Sequence, residues 1–233
     1  MHVQFRDRIV AANMLGEIMK GKVKKLEKPD ALVLGIPRAG ALTADILSKK
    51  LLIPQFEIII PRKLSNPTNK EQSIGAVMED GYKLMDHALV KSLNISKEYL
   101  ANEIESQVSE IKRRKNTYYK DGEDHNIKNI IARHKTIILV DDGAATGYTV
   151  TVAANWISLS NRSNNGRLRN LIIALPIAPE NVINKIKKGC NADVNVAFSP
   201  SASSFHSIEQ FHQNFEQVTD DNVVKIMNER NLC

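Results

Sequence analysis

Along this chain, blocks with helical spacing alternate with short, continuously apolar runs. Residues 5–19 place Ile9, Ala12, Leu15 and Met19 three or four apart ahead of Gly21, which predicts a helix. Residues 31–36 and 56–60 are apolar and predict buried strands, with a short helix over 39–49 between them that ends before Pro54. A longer helix is predicted over 96–118, with Ser96 as its cap and Ile104, Val108 and Ile111 on one face. After a turn at Asp121-Gly122-Glu123-Asp124 come a strand over 136–140, a helix from about 148 to 160, a polar turn over 161–166, a strand over 171–175, a helix over 179–187 and a strand over 193–198. Five strands separated by helices predict an α/β architecture with a doubly wound, mainly parallel sheet.

Two stretches break the alternation. Residues 64–95 hold Pro67, the segment Ile74-Gly75-Ala76-Val77 and an Asp80-Gly81 turn, and predict an inserted hairpin or flexible lid over the carboxyl edge of the sheet. Residues 199–233 are rich in Ser and Pro at first, carry Phe205, Phe211 and Phe215, and end in a helix around 220–229, which predicts a C-terminal extension. At 233 residues the whole chain, 1–233, is expected to be one domain with these two excursions.

The chemistry concentrates after Thr136-Ile137-Ile138-Leu139-Val140. A strand this uniformly apolar is covered on both faces, and ligands of such parallel sheets bind at the carboxyl edge. Here that edge carries Asp141-Asp142 and then Gly143-Ala144-Ala145-Thr146-Gly147-Tyr148-Thr149. Gly143 and Gly147 permit close backbone approach, Ala144 and Ala145 leave room, and Thr146 and Thr149 supply hydroxyls. The amides that open the next helix suit a phosphate, while the carboxylates can accept from sugar hydroxyls or hold a divalent cation. A plainer reading keeps the two Asp residues as a strand end and the loop as a turn and cap. The loop lacks the Gly-Lys-Ser/Thr of a nucleotide-binding P-loop and the three close glycines of the dinucleotide fingerprint.

The first predicted strand runs into Gly35-Ile36-Pro37-Arg38-Ala39-Gly40, so Arg38 falls on the same edge, where a guanidinium fork suits a diphosphate. The second ends at Pro61-Arg62-Lys63 and adds further positive charge. No serine-hydrolase elbow is present, and His206 and His212 lack metal-ligand spacing and Cys partners. Trp156 reads as a packing residue, and Phe205 as a stacking surface for a base if residues 199–205 cover the sheet edge.

The net charge of +6 and pI near 9.2 fit an anionic small substrate. Because the lysines at 20–28 and 185–188 fall at the ends of predicted helices, nucleic acid is neither indicated nor excluded. No apolar run is long enough to span a membrane and no apolar leader is seen, and Cys190 and Cys233 do not form a disulfide framework, so a reducing cytoplasm is the expected location.

The strand, acidic pair and Gly-x-x-Thr-Gly-x-Thr loop, taken in one register, resemble the binding motif for 5-phosphoribosyl 1-diphosphate in type I phosphoribosyltransferases. The likeness extends to an uncharacterised branch of that family through Phe5-Arg6-Asp7-Arg8, Pro37-Arg38-Ala39-Gly40, Arg62-Lys63-Leu64-Ser65-Asn66-Pro67, Glu71, Ile74-Gly75-Ala76-Val77, Phe205, and Phe215 followed by Asp220. Ala39 and Ser65 stand where that branch carries Gly. The resemblance implies a type I phosphoribosyltransferase-like fold: a five-stranded, mainly parallel sheet with helices on both faces, an inserted lid hairpin and a C-terminal hood. It implies transfer of phosphoribose from 5-phosphoribosyl 1-diphosphate to a nitrogenous base or similar nucleophile, with Mg2+ as cofactor and a homodimer as one possible assembly. Asp141 and Asp142 would hold ribose hydroxyls and the metal, residues 143–149 the 5-phosphate, and Pro37, Arg38, Ala39 and Gly40 the diphosphate through an unusual peptide geometry. Arg38 and Lys63 join the acidic pair as catalytic candidates, and Lys70 and Glu71 would arrive as the lid closes. The alternative is a non-catalytic regulator that binds the same sugar diphosphate and uses its basic surface on nucleic acid.

Overall fold

The computed structural model describes residues 4–24, 26–119 and 126–231; the turn expected at Asp121–Asp124 lies outside them, as does Cys233. Helix α1 (Arg8–Val23) leads into β1 (Ala31–Gly35), α2 (Ala39–Leu51) and β2 (Gln55–Ile58). An inserted unit follows: β3 (Arg62–Ser65), β4 (Ser73–Val77), β5 (Lys83–Met85) and α3 (His87–Ser92). The chain continues through α4 (Lys97–Tyr118), α5 (Ile127–Arg133), β6 (Thr136–Val140), α6 (Tyr148–Ser163), β7 (Asn170–Ile177), α7 (Glu180–Gly189), β8 (Asp193–Phe198) and α8 (Asp220–Asn231).

The five predicted strands form one sheet in the order β2-β1-β6-β7-β8, with every pairing parallel. The order reverses at β1, so the loops after β1 and β6 leave the edge side by side, the position at which open α/β sheets bind ligands. Alternation along the strands divides the core. Ala31, Val33, Ile138, Val140, Ile172 and Ala174 face α1 and α2, while Leu32, Leu34, Ile137, Leu139, Leu171 and Ile173 face α6 and α7. All five residues of β6 are buried, as a strand covered on both faces requires.

The first helix starts at Arg8 rather than at residue 5, because the Asp7 carboxylate caps it by accepting from the Val10 N–H at 2.8 Å. Phe5 is instead extended and tied to the C-terminal segment: Gln4 and Phe5 donate to the Phe211 carbonyl, and Gln213 donates back to the Phe5 carbonyl at 2.9 Å. Phe5, Ile177 and Phe211 form a third small core with Phe198, Phe205 and Ile208.

The stretch expected to hold a hairpin contains a three-stranded antiparallel sheet, β3-β4-β5, whose middle strand is buried throughout. Leu64, Ile74 and Val77 join the core shared with α4. Trp156 on α6 donates its indole N–H to Asp80 at 2.9 Å and so pins the turn between β4 and β5, where Gly81 adopts a φ of 82°. The short helices α3 and α5 were not expected, since six and seven residues give too few turns for a periodic pattern to show. No described helix is long and apolar enough to cross a membrane.

On α4, Arg113 and Arg114 both donate to Glu110, at 2.7 and 2.8 Å, and hold its carboxyl down to about 2 from an ordinary 4.5. A carboxyl lowered in the folded state stabilises the fold above its unfolded value and loses that contribution as pH falls from about 4.5 toward 2. Glu110→Gln is therefore expected to cost about 1 kcal/mol at pH 7 and to have lost most of that cost by about pH 2.5. Urea unfolding of both forms across that range measures it, and a pH-independent difference would remove the ion pairs as its cause.

Candidate functional site

At the carboxyl edge lies a cleft of about 390 Å³ lined by the loops after β1, β2 and β6 together with Arg8 and Phe215. Its position follows from register: Gly35 of β1 pairs with Val140 of β6, so the loop at Ile36–Ala39 and the acidic pair start from neighbouring points. The peptide between Pro37 and Arg38 is cis, the unusual geometry that the resemblance implied for this loop.

Glycine is needed where the two loops meet. A Cβ on Gly40 would lie 2.7 Å from Asp141 Oδ1 and 2.8 Å from Asp141 Cα, so the start of α2 rests directly on the first carboxylate. Ala39, in contrast, is the first helical residue of α2 and is not among the residues of positive φ, so the absence of Gly there introduces no backbone strain.

The loop after β6 closes as an anion cradle. Gly147 caps α6 in the left-handed region, with φ 77° and no side-chain cap, and the first bond of the helix runs from the Thr151 N–H to the Gly147 carbonyl. The amides of Tyr148, Thr149 and Val150 therefore have no acceptor within the helix. Partial positive charge gathers there, and Thr149 lines the cleft beside it. Gly143 and Ala144 are buried beneath this turn, the Ala144 N–H bonding the Ile177 carbonyl at 2.9 Å, while Ala145 and Thr146 reach the surface. The Tyr148 ring points away from the cleft: its hydroxyl donates to Asp86 at 2.7 Å, and Lys185 lies 3.5 Å from its ring centre. Only the backbone of Tyr148 belongs to the cradle.

The opposite wall is basic. Arg38, Arg62 and Lys63 all line the cleft. Arg38 is half exposed and reaches only to 3.9 Å from Asp220, whose carboxylate already accepts from Tyr118 at 2.6 Å and Arg113 at 3.1 Å. Arg62 donates to Gln107, an uncharged partner, at 2.9 Å. Burial, followed by the neighbouring Arg114, pulls the Arg62 guanidinium below its ordinary value, so the wall favours an added anion.

The acidic pair itself is partly engaged. Asp141 accepts from the Asp142 N–H at 2.9 Å, and burial, reinforced by the Asp142 charge, pushes its carboxyl well above the usual carboxylate range. Asp142 is ion-paired with Arg8, whose guanidinium also donates through Nε to the Glu216 carbonyl at 3.1 Å and stacks 3.7 Å from the centre of the Phe215 ring. The oxygen chemistry of two carboxylates suits Mg2+. On Asp142 the outer position is taken by the Arg8 guanidinium. Arg8 was visible in the sequence only as part of Phe5-Arg6-Asp7-Arg8, and the aromatic brought to the cleft is Phe215, while Phe205 stacks on Phe211 at 5.9 Å. Lys70 and Glu71 do not reach the cleft; Lys70 bonds the Tyr99 hydroxyl at 3.0 Å and Glu71 is exposed. His212 packs between Phe5 and Phe215, with its ring bonded to the Ile208 carbonyl at 3.1 Å.

An α/β sheet reversing at β1, with an acidic pair and an anion cradle at the reversal, defines the architecture of type I phosphoribosyltransferases. The phosphoribosyl transferase domain family matches residues 10–161, and the chain belongs to that family. Two curated Mycobacterium tuberculosis proteins, "Putative phosphoribosyl transferase MT0597" from strain CDC 1551 and "Putative phosphoribosyl transferase Rv0571c" from strain H37Rv, are each 26% identical over 223 residues. The match takes in 96% of this chain and 46% of each of them, so the chain spans about half the length of these relatives. The crystal structure of TT1426 from Thermus thermophilus is similar with a TM-score of 0.69 and 27% identity, covering 98% of this chain and 99% of that one.

Replacing Gly40 by Ala is expected to destabilise the protein by about 1–3 kcal/mol, since the clash is with backbone and carboxylate. Ala39→Gly one residue earlier is expected to cost under about 1 kcal/mol. Guanidinium unfolding of the two variants gives the comparison, and equal costs would mean that the contact with Asp141 does not limit this position.

Proposed function

We propose that this protein transfers phosphoribose from 5-phosphoribosyl 1-diphosphate to a nitrogenous base or related nucleophile, releasing diphosphate. One observation carries the reading: an uncapped helix start, an acidic pair and a cluster of three cations share one cleft at the sheet reversal. These three features match a 5-phosphate, a ribose diol and a diphosphate in sequence along one molecule.

In this reading the amides of Tyr148, Thr149 and Val150 and the Thr149 hydroxyl hold the 5-phosphate. Asp141 and Asp142 face the ribose hydroxyls and accept their hydrogen bonds. Arg38, Arg62 and Lys63 receive the diphosphate. The C1–O bond breaks with its electron pair leaving on the diphosphate, a nitrogen lone pair forms the C1–N bond, and the nitrogen then loses its proton to water. Positioning and electrostatics supply the catalysis, and no covalent nucleophile is required. Magnesium enters only as the counter-ion that the diphosphate carries with it. Phe215 is the aromatic side chain that lines the cleft, with the Arg8 guanidinium over its ring. Any closing movement of the insert belongs to its exposed tip, residues 67–71, because β4 and the turn at Asp80 are anchored against the core and α6.

The test is diphosphate release from 5-phosphoribosyl 1-diphosphate, with Mg2+ present, across a panel of purine and pyrimidine bases. At least one base is expected to stimulate release, and Asp142→Asn and Arg38→Ala are each expected to lower the rate about 100-fold. A wild-type protein that no base stimulates, or full activity in Asp142→Asn, would sink the proposal.

A further inference from the structure

Arg8 is placed against the electrostatic preference of its own helix. It is the first residue of α1, where the partial positive charge of a helix start disfavours a cation, and Asp7 already supplies the cap. A residue that opposes its local rule is held by something outside the helix. The holding groups here are Asp142, the Glu216 carbonyl and the face of Phe215, and they leave the Arg8 side chain only 11% exposed. Its backbone is fixed as well. The segment before it is hydrogen-bonded to residues 211–214, with the Asn214 N–H donating to the Arg6 carbonyl at 2.8 Å, so the chain that presents Arg8 and the chain that presents Phe215 are joined.

Such a guanidinium is a built-in part of the site rather than a side chain resting across it. It lines the cleft, and among the described residues no acceptor takes its Nη2 donors. A divalent ion beside Asp142 would meet a fixed positive charge paired to the same carboxylate and would be repelled by it.

We infer that Arg8 is the resident cation of the acidic pair, taking the place beside Asp142 that a divalent ion would otherwise hold, and that its free donors bind the ribose end of the phosphosugar. The second half rests on the function proposed above; the first does not. Arg8 is on this account a binding and positioning residue, and this cleft takes a sugar phosphate without a metal at its acidic pair.

Mn2+ binding followed by electron paramagnetic resonance tests the first half. Wild-type protein is expected to hold Mn2+ no better than Asp142→Asn does. Arg8→Gln, which keeps donors and bulk without the charge, is expected to bind one Mn2+ at least about tenfold more tightly. Arg8→Lys is expected to return the protein to wild-type behaviour, and the double variant Arg8→Gln/Asp142→Asn to lose the gain. Thermal melting of each variant establishes that it is folded, and Arg8→Ala serves if Arg8→Gln is not. A wild-type Mn2+ site that Asp142→Asn abolishes and Arg8→Gln does not strengthen would overturn the inference.

Calorimetry with ribose 5-phosphate tests the second half. Wild-type binding is expected to be unchanged by a chelator, while Arg8→Gln binds about tenfold more weakly in chelator and recovers with Mg2+. Wild-type binding that requires Mg2+ overturns this half. If ribose 5-phosphate binds to no form under either condition, the phosphosugar reading falls with it, and the Mn2+ result still decides what Arg8 does.

Discussion

The parallel pairing of β1 with β6 is the constraint on which the site depends. It aligns Gly35 with Val140, so the two loops that carry the chemistry leave the sheet at one height and side by side. Their separation is set by close packing. Gly40 lies against Asp141, and a Cβ on Gly35 would come within 2.8 Å of Ala41 Cα, so α2 is drawn down onto both strands at its start. Neither glycine supplies an unusual backbone angle; each supplies the absence of a side chain.

Around that contact the charges separate into two walls. Arg38 comes from the loop after β1, and Arg62 and Lys63 from the start of β3, where the carboxylates nearby are already engaged by other donors. Asp141 and Asp142 come from β6, where one carboxyl is disfavoured in its charged form and the other is matched by Arg8. Positive charge thus remains available at one end of the cleft, and the helix start of α6 offers partial positive charge at the other. A ligand with anionic groups at both ends and hydroxyls between them suits this order.

The parts outside the main sheet bear on the site through specific anchors. Asp86, at the start of α3, draws the Tyr148 ring out of the cleft and leaves its amide behind. Ile208 of the C-terminal segment sits where a Cβ on Gly143 would be, which presses the turn into place from outside. The pairing of residues 4–6 with 211–214 brings the segment before α1 and the segment between β8 and α8 to the same rim, and through it Arg8 and Phe215 become neighbours. The family match covers residues 10–161, and this rim of N- and C-terminal segments, which brings Arg8 and Phe215 to the cleft, lies outside that stretch.

The local sequence was sufficient for whatever depends on short-range periodicity and turn chemistry. A continuous apolar run announced β6 as a strand buried on both faces, and both β6 and the more exposed β8 have the bounds expected for them. Asp141-Asp142 and the Gly-Thr loop announced an edge site because strand, turn and helix start are contiguous in the chain, and Arg38 followed once a parallel sheet was expected. The short helices α3 and α5 and the first strand of the insert, β3, were hidden, since six, seven and four residues carry too little periodicity to stand out. What only the tertiary structure decided are contacts between residues far apart in the chain: Arg8 with Asp142, Phe215 rather than Phe205 at the cleft, and Tyr148 turned toward Asp86. Periodicity reports which face of an element is buried, but the partner of a buried charge is chosen by packing across the whole chain, and no local pattern records that choice.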